Sequence, residues 1–174
     1  MRYLLLAVAV LAAGCAQLGL GGGAKESFDT MNVTATQPPP GPDKVILTPS
    51  HIAITDKVQF ETGKADLKPA SFALLDEVVA VMKSNPQIEV VEIGGHTDST
   101  GSADLNHTLS QQRAESVMKY ISSKGIAKNR LTAKGFGPDV PIADNTTDQG
   151  REANRRVEFL ITKQGPKKTV VKDE

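Results

Sequence analysis

The sequence predicts a single α+β domain over residues 44–163, on three observations. Apolar residues in this stretch recur first with period two, then with period 3.6, and so on by turns, as strands and helices do. Proline, glycine and asparagine stand where the period changes. Over residues 16–43 large apolar residues are few and the last residues are polar, and 174 residues leave room for one packed core plus tails.

Each element has its own signal. "HIAITDKVQF" alternates and is rich in β-branched residues, so a strand is expected to run from His51 to near Phe60. After "ETGKADLKP" a helix is expected at or just after Pro69, a residue suited to a first turn. Phe72, Leu75, Val79 and Met82 form its apolar stripe, and Asn85-Pro86 stops it. "IEVVEIGG" is short and mostly apolar, as a central strand is. A helix from about Ser102 to Ser123, closed by Gly125, places Asn106, Leu109, Arg113, Val117 and Ile121 on one stripe. Gln111, Gln112, Glu115 and Lys119 fall opposite. Arg113 thus stands on the side expected to be buried, which calls for an anion to meet it. "RLTAKGFG" reads as a third strand, "PDVPIADN" as a proline-bracketed loop, and "TTDQGREAN" as one or two helical turns. "RRVEFLITK" is the last strand, with Val157, Phe159 and Ile161 on one face. The order is β-α-β-α-β-short α-β.

The ends of the chain read differently. Met1-Arg2 precedes an apolar run of eleven residues, "YLLLAVAVLAA". A spanning helix needs about 20 residues, whereas a positive start, a short apolar run and small residues describe a signal segment, here 1–14. Cys15 follows "LAAG", which resembles the lipobox of bacterial lipoproteins, in which that cysteine is lipidated and becomes the first mature residue. As the only cysteine, it has no partner for a disulfide within the chain. Ala16 fits lipoproteins passed on to the outer membrane. The glycine and proline clusters of 15–43 describe a flexible linker, with a relaxed span of about 30 Å and a stretched one of about 90 Å. Residues 164–174 read as a polar, frayed tail.

Several function classes drop out. Formal charge is zero with both signs interspersed, so a basic face for nucleic acid is absent. There is no tryptophan, and two tyrosines leave few stacking platforms. No cysteine–histidine cluster offers a zinc site, and Ser99 lacks the setting of a Gly-x-Ser-x-Gly nucleophile. His96 is read as a structural hydrogen-bonding residue at a strand end. No enzyme and no cofactor is expected.

Three blocks are recognisable: "VQFETGKADLKP", "GGHTDSTGSADLNHTLSQQRAESVMKYI" and "RLTAKGFGPDVPIADNTTDQGREANRRVEF". Together they resemble the C-terminal, peptidoglycan-binding domain of the OmpA family. That resemblance implies a mixed β-sheet with helices packed on one side, and a groove that holds the diaminopimelate of the peptide stem. It also implies roles for particular residues. The ligand aspartate falls on Asp98 in "GHTD", and the ligand arginine on Arg113 in "LSQQRA". Asn106 matches the asparagine of "LN", and Arg155 the first arginine of "NRR". Thr62-Gly63 matches a loop that lines the groove.

The chemistry of the ligand fits those residues. The D-centre of diaminopimelate carries an ammonium beside a carboxylate, so Asp98 can accept from the first and Arg113 can fork onto the second. Each such contact contributes about 1.5–3 kcal/mol net, enough for reversible binding. A lysine stem lacks that carboxylate and would leave the arginine unpaired. In the empty state Asp98 is expected to help hold Arg113. Other readings stand beside these: Asp98 and Arg113 as a structural salt bridge, and Asn106 bonded to loop backbone. Arg155 and Arg156 should face opposite ways, one into the groove and the other to the surface or a helix. The expected whole is an outer-membrane lipoprotein facing the periplasm that tethers the membrane to the wall. The alternative is a lipoprotein whose envelope protein partners form a trans-envelope complex.

Overall fold

The computed structural model describes residues 44–166. The expected signal segment 1–14, Cys15 with the linker 15–43, and the tail beyond residue 166 lie outside the described residues.

The domain begins with an antiparallel hairpin of β1 (Val45–Leu47) and β2 (Ile52–Ile54), Val45 opposite Ile54. This corrects the first predicted strand, which stops at Ile54 rather than Phe60 and has an unforeseen partner before it. The reason lies in the neighbours. β2 has β1 on one side, while at its start a His51–Leu160 bridge and the Ile161 amide on the Ser50 carbonyl (2.8 Å) join it to the last strand. Past Ile54 the Thr55 amide turns back to the Lys44 carbonyl (2.8 Å). Val58 is buried, and Phe60 bridges Leu67 instead of joining a sheet.

Pro69 opens a single 3-10 turn, Pro69–Ser71, which runs into α1 (Phe72–Ser84). Leu75, Val79 and Met82 are buried as the stripe requires, and so are Leu74 and Val78, which widen it. Phe72 sits at the rim instead, stacked on Tyr120 with ring centroids 5.0 Å apart. The Asn85 side chain closes the helix, its Nδ2 donating to the Val81 carbonyl (2.8 Å).

β3 (Ile88–His96) is the central strand. It runs parallel to β4 (Leu131–Gly137) and antiparallel to β5 (Val157–Gln164), giving the order β4-β3-β5 of a mixed sheet. Ile93 lies opposite Ala133 on one side and Phe159 on the other. Val91, Ile93, Leu131, Val157 and Phe159 form the buried face, shared with α1 and α2 in one core. Thr132, Lys134 and Leu160 occupy the other face.

Helix α2 (Ala103–Ser123) lies on the sheet by a ridge of Ser110, Ala114, Val117 and Ile121, all fully buried. Val117 and Ile121 are buried as expected, but towards the start of the helix Ser110 and Ala114 take the places expected for Leu109 and Arg113. Glycines cause the exchange. A Cβ at Gly95 would lie 2.2 Å from the Ser110 carbonyl oxygen, and one at Gly135 would lie 2.4 Å from the Gln111 nitrogen. Without those carbons the helix settles on the strands, and only small residues fit beneath it. The Gly137 amide donates to Ser110 Oγ (2.9 Å) and the Gly135 amide to Gln111 Oε1 (2.7 Å), so Gln111 belongs to this contact rather than to the outer face. Leu109 and Arg113 move to the flank, half-buried.

Helix α3 (Asp148–Asn154) starts at Thr147, whose hydroxyl accepts from the Gly150 amide (3.0 Å). Arg155 closes this helix, its amide on the Arg151 carbonyl (3.1 Å), so β5 begins two residues later than predicted. None of the described helices is long and apolar enough to cross a membrane.

Candidate functional site

The turn that leaves β3 carries Asp98. The Thr97 amide holds it down on the Gly137 carbonyl (2.9 Å), and Asp98 is only 8% exposed. The Thr100 amide donates to its Oδ1 (2.8 Å), and Arg155 donates to its Oδ2. Burial opposes charge on this carboxyl, but the Thr100 amide and the Arg155 guanidinium outweigh it and hold its pKa below the ordinary value.

Both terminal nitrogens of Arg155 are engaged by carboxylates. Its second terminal nitrogen donates to Glu152, whose other oxygen takes Lys57 Nζ (2.9 Å). Asp98, Arg155, Glu152 and Lys57 thus alternate in sign along one ladder. Arg156 turns inward as well. Its Nε donates to Glu158 (2.7 Å) and a terminal nitrogen to the Val140 carbonyl (3.2 Å), so it is not the surface or helix-packing residue anticipated.

A cleft of about 430 Å³ opens beside the ladder, with Phe60, Thr62, Gly63, Lys68, Arg113 and Arg155 among its walls. Arg113 enters from the flank of α2. Its Nε donates to the Lys64 carbonyl (3.1 Å), and its guanidinium carbon stands 5.0 Å from the Phe60 ring centroid. No carboxylate within ion-pair distance faces it among the described residues. The expected Asp98–Arg113 contact is absent: Asp98 meets the Thr100 amide and Arg155, while Arg113 meets the Lys64 carbonyl. Burial lowers the Arg113 pKa, the Arg155 charge adds to that, and Asp98 opposes it at a distance. Arginine stays charged regardless. Among the described residues Arg155 thus meets carboxylates at this cleft and Arg113 meets none.

The remaining predicted residues fall around this pair. Asn106 donates to the Thr100 carbonyl (2.9 Å) and so braces the Asp98 turn. Thr62 and Gly63 are exposed at the mouth, Gly63 with φ +69. That left-handed residue turns the chain inside a small loop, in which the Glu61 amide meets the Asp66 carbonyl (2.9 Å) and the Lys64 amide meets the Glu61 carbonyl (3.0 Å). The loop is what aims the Lys64 carbonyl at Arg113.

Two residues behave in ways the sequence did not signal. Asn154, fully buried, accepts from the Ile142 and Ala143 amides (2.8 and 3.1 Å) and donates to Asn145 (2.9 Å). It fixes the 139–145 loop against the Asp98 turn, where Asn145 accepts from the Ser99 amide (3.3 Å). A polar residue at the end of a short helix was the only trace of it. His96 is buried, yet neither ring nitrogen makes a hydrogen bond; it stacks on Phe136 at 5.0 Å, with Nε2 3.5 Å from Glu158. Burial and Arg156 push its pKa down and Glu158 pulls it up, with a net lowering. It is a packed residue rather than a hydrogen-bonding one. No group of three or more His, Cys, Asp or Glu among the described residues could hold a metal ion.

Residues 59–155 match the model of the OmpA family. The chain is 39% identical over 134 residues to "Probable lipoprotein YiaD" of Escherichia coli (strain K12), covering 77% of this chain and 58% of that protein. It is 38% identical over 136 residues to "Peptidoglycan-binding protein ArfA" of Mycobacterium tuberculosis, covering 75% and 41%. The match therefore spans less than two thirds of either relative. Among solved structures, it is similar to the peptidoglycan-associated lipoprotein from Burkholderia pseudomallei, at 28% identity and a TM-score of 0.55, covering 61% of this chain and 90% of that one.

Proposed function

The chain belongs to the OmpA family, and from that premise we propose that its domain binds peptidoglycan through the diaminopimelate of the stem peptide. One observation carries the reading: Arg113 stands half-buried at a cleft wall, its Nε used by a carbonyl and no carboxylate of the described chain in ion-pair reach. A guanidinium in that state gains most from a carboxylate brought by a ligand, which it can grip with two parallel hydrogen bonds. Asp98, kept ionised by Thr100 and Arg155, keeps a second lone pair on each oxygen for the ligand's ammonium. Arg155 and Glu152 hold Asp98 in place, Asn106 braces its turn, and Thr62 and Gly63 border the entrance. The names of the relatives, peptidoglycan-binding and peptidoglycan-associated, agree with this reading.

The rest of the proposal concerns the chain outside the described residues. Cys15 carries lipid, residues 15–43 act as the tether, and the domain hangs from the outer membrane into the periplasm and holds it to the wall. The protein is a binding module, not an enzyme.

Calorimetric titration of the full chain with soluble muropeptides tests the core of this. A diaminopimelate stem should bind, and a lysine stem should bind at least about tenfold more weakly, since losing one charge-assisted contact is worth at least 1.4 kcal/mol. Equal binding of the two would remove Arg113 from the account. For the anchor, a palmitate analogue should label the wild type and not Cys15→Ala; label kept by the mutant would overturn it.

A further inference from the structure

If Arg113 is to meet a ligand carboxylate with two nitrogens, something other than an acid must hold its plane beforehand. Two groups of the 60–67 loop meet it: the Phe60 ring, whose centroid is 5.0 Å from its guanidinium carbon, and the Lys64 carbonyl, 3.1 Å from its Nε. The loop is rigid for its length. Phe60 bridges Leu67, the Lys68 amide reaches the Gln59 carbonyl (3.0 Å), and the Glu61 and Lys64 amides close it within. Phe60 also packs on the hydrophobic core from its edge, so its ring is anchored at one end and faces the cleft at the other.

We propose that Phe60 is a positioning residue for Arg113. The ring supports the charged plane from one side, as a phenyl face does for a cation, and the Lys64 carbonyl fixes the Nε edge. Neither terminal nitrogen is thereby used by a described residue, and the side chain lines the cleft. Neither holding group is an anion, so neither competes with the incoming carboxylate, and the ordering of a long side chain is complete before the ligand arrives. An acid in the place of Phe60 would hold the arginine as firmly but would have to be displaced.

This inference rests on the reading of Arg113 as the ligand's partner, and the test separates the two. Full-length wild type, Phe60→Leu, Phe60→Tyr, Arg113→Ala and Phe60→Leu/Arg113→Ala are titrated with a diaminopimelate muropeptide after each is shown folded by circular dichroism. Phe60→Leu keeps apolar bulk but loses the face, and should weaken binding about three- to tenfold, the range of a cation–π contact. Phe60→Tyr, which keeps the face, should stay within about twofold of wild type. In the Arg113→Ala background Phe60→Leu should add nothing. Phe60→Leu binding as wild type does, or weakening the Arg113→Ala protein equally, would overturn the proposal. A second measurement needs no ligand: the Arg113 Nε–H proton resonance, assigned by its loss in Arg113→Ala, should be shifted by the ring current and move toward the free-arginine position in Phe60→Leu. If the wild type ignores muropeptide, the function proposed above fails while this resonance still decides whether Phe60 holds the arginine; an unchanged resonance refutes the holding.

Discussion

Of the three arginines that line the cleft, Arg155 and Arg113 differ in everything but charge. Arg155 ends a helix and donates to Asp98 and Glu152, with Lys57 continuing the ladder beyond. Arg113 comes off the flank of a helix and meets only a carbonyl and a phenyl ring. The first is a completed structure, whose removal strands a nearly buried carboxylate. The second is an incomplete one, whose desolvation is unrewarded until a carboxylate arrives. A site made this way separates what holds it from what it waits for, so the two arginines should respond oppositely when changed.

The largest expected effect is on binding at Arg113. Arg113→Ala should weaken diaminopimelate muropeptide binding at least about 30-fold while changing unfolding free energy by less than about 1 kcal/mol, because no ion pair of the domain is broken. Arg113→Lys should recover little, remaining about tenfold weaker than wild type, because a point charge replaces the fork. A stability loss in Arg113→Ala matching its binding loss, seen in urea unfolding, would erase the contrast.

Arg155→Ala should show the reverse emphasis. It leaves Asp98 with the Thr100 amide alone, and urea unfolding should report a loss of about 1–3 kcal/mol, the range for a stranded buried acceptor. Binding should fall as well, through Asp98, but as a consequence of the disturbed turn.

The pH dependence sharpens the same point. Asp98 titrates below its ordinary value of 3.8 in the folded domain, so the unfolded chain takes up its proton first as pH falls. The stability it contributes is complete above that ordinary value and is lost as pH drops through the lower folded one. Asp98→Asn should therefore flatten the fall in stability below about pH 4, measured by thermal unfolding across pH. An unaltered slope would mean that Asp98 is not held ionised by the Thr100 amide and Arg155.

The smallest effect belongs to the loop. Gly63→Ala places a side chain at φ +69 with open space around it, so only backbone strain opposes it, about 1 kcal/mol. Relief of that strain would re-aim the Lys64 carbonyl. Muropeptide binding should fall a few-fold through Arg113 while the Asp98–Arg155 ladder stays intact. No loss of binding would show that the loop does not set the arginine.

Most elements were legible because their periods report burial directly. Leu75, Val79 and Met82 recur on one side of α1, and Val157 and Phe159 alternate into the core from β5. Misreadings arose where a partner, not a period, decided. The first strand alternates as far as Phe60, yet a strand needs a neighbour to bond to; β1 ends its pairing with β2 at Lys44–Thr55, and Phe60 bridges Leu67 instead. In α2 the periodic stripe put Arg113 at its centre, but the glycines of β3 and β4 drew Ser110 and Ala114 under the helix in place of Leu109 and Arg113.

The site divides along the same line. The sequence by itself determined that a helical arginine stood near a buried face, and its motif gave Asp98, Asn106, Arg155, Thr62 and Gly63 as the neighbours to examine. Only the tertiary structure decided who holds whom. Asp98 pairs with Arg155, not Arg113, because the end of α3 brings Arg155 alongside the turn after β3, whereas the seating of α2 on the sheet leaves Arg113 at the 60–67 loop. Charge and spacing along a chain constrain which pairs are possible. Which pair forms depends on directions fixed by packing, since a buried ion pair needs its two groups within hydrogen-bond reach and oriented, and no linear pattern encodes that across 57 residues of separation.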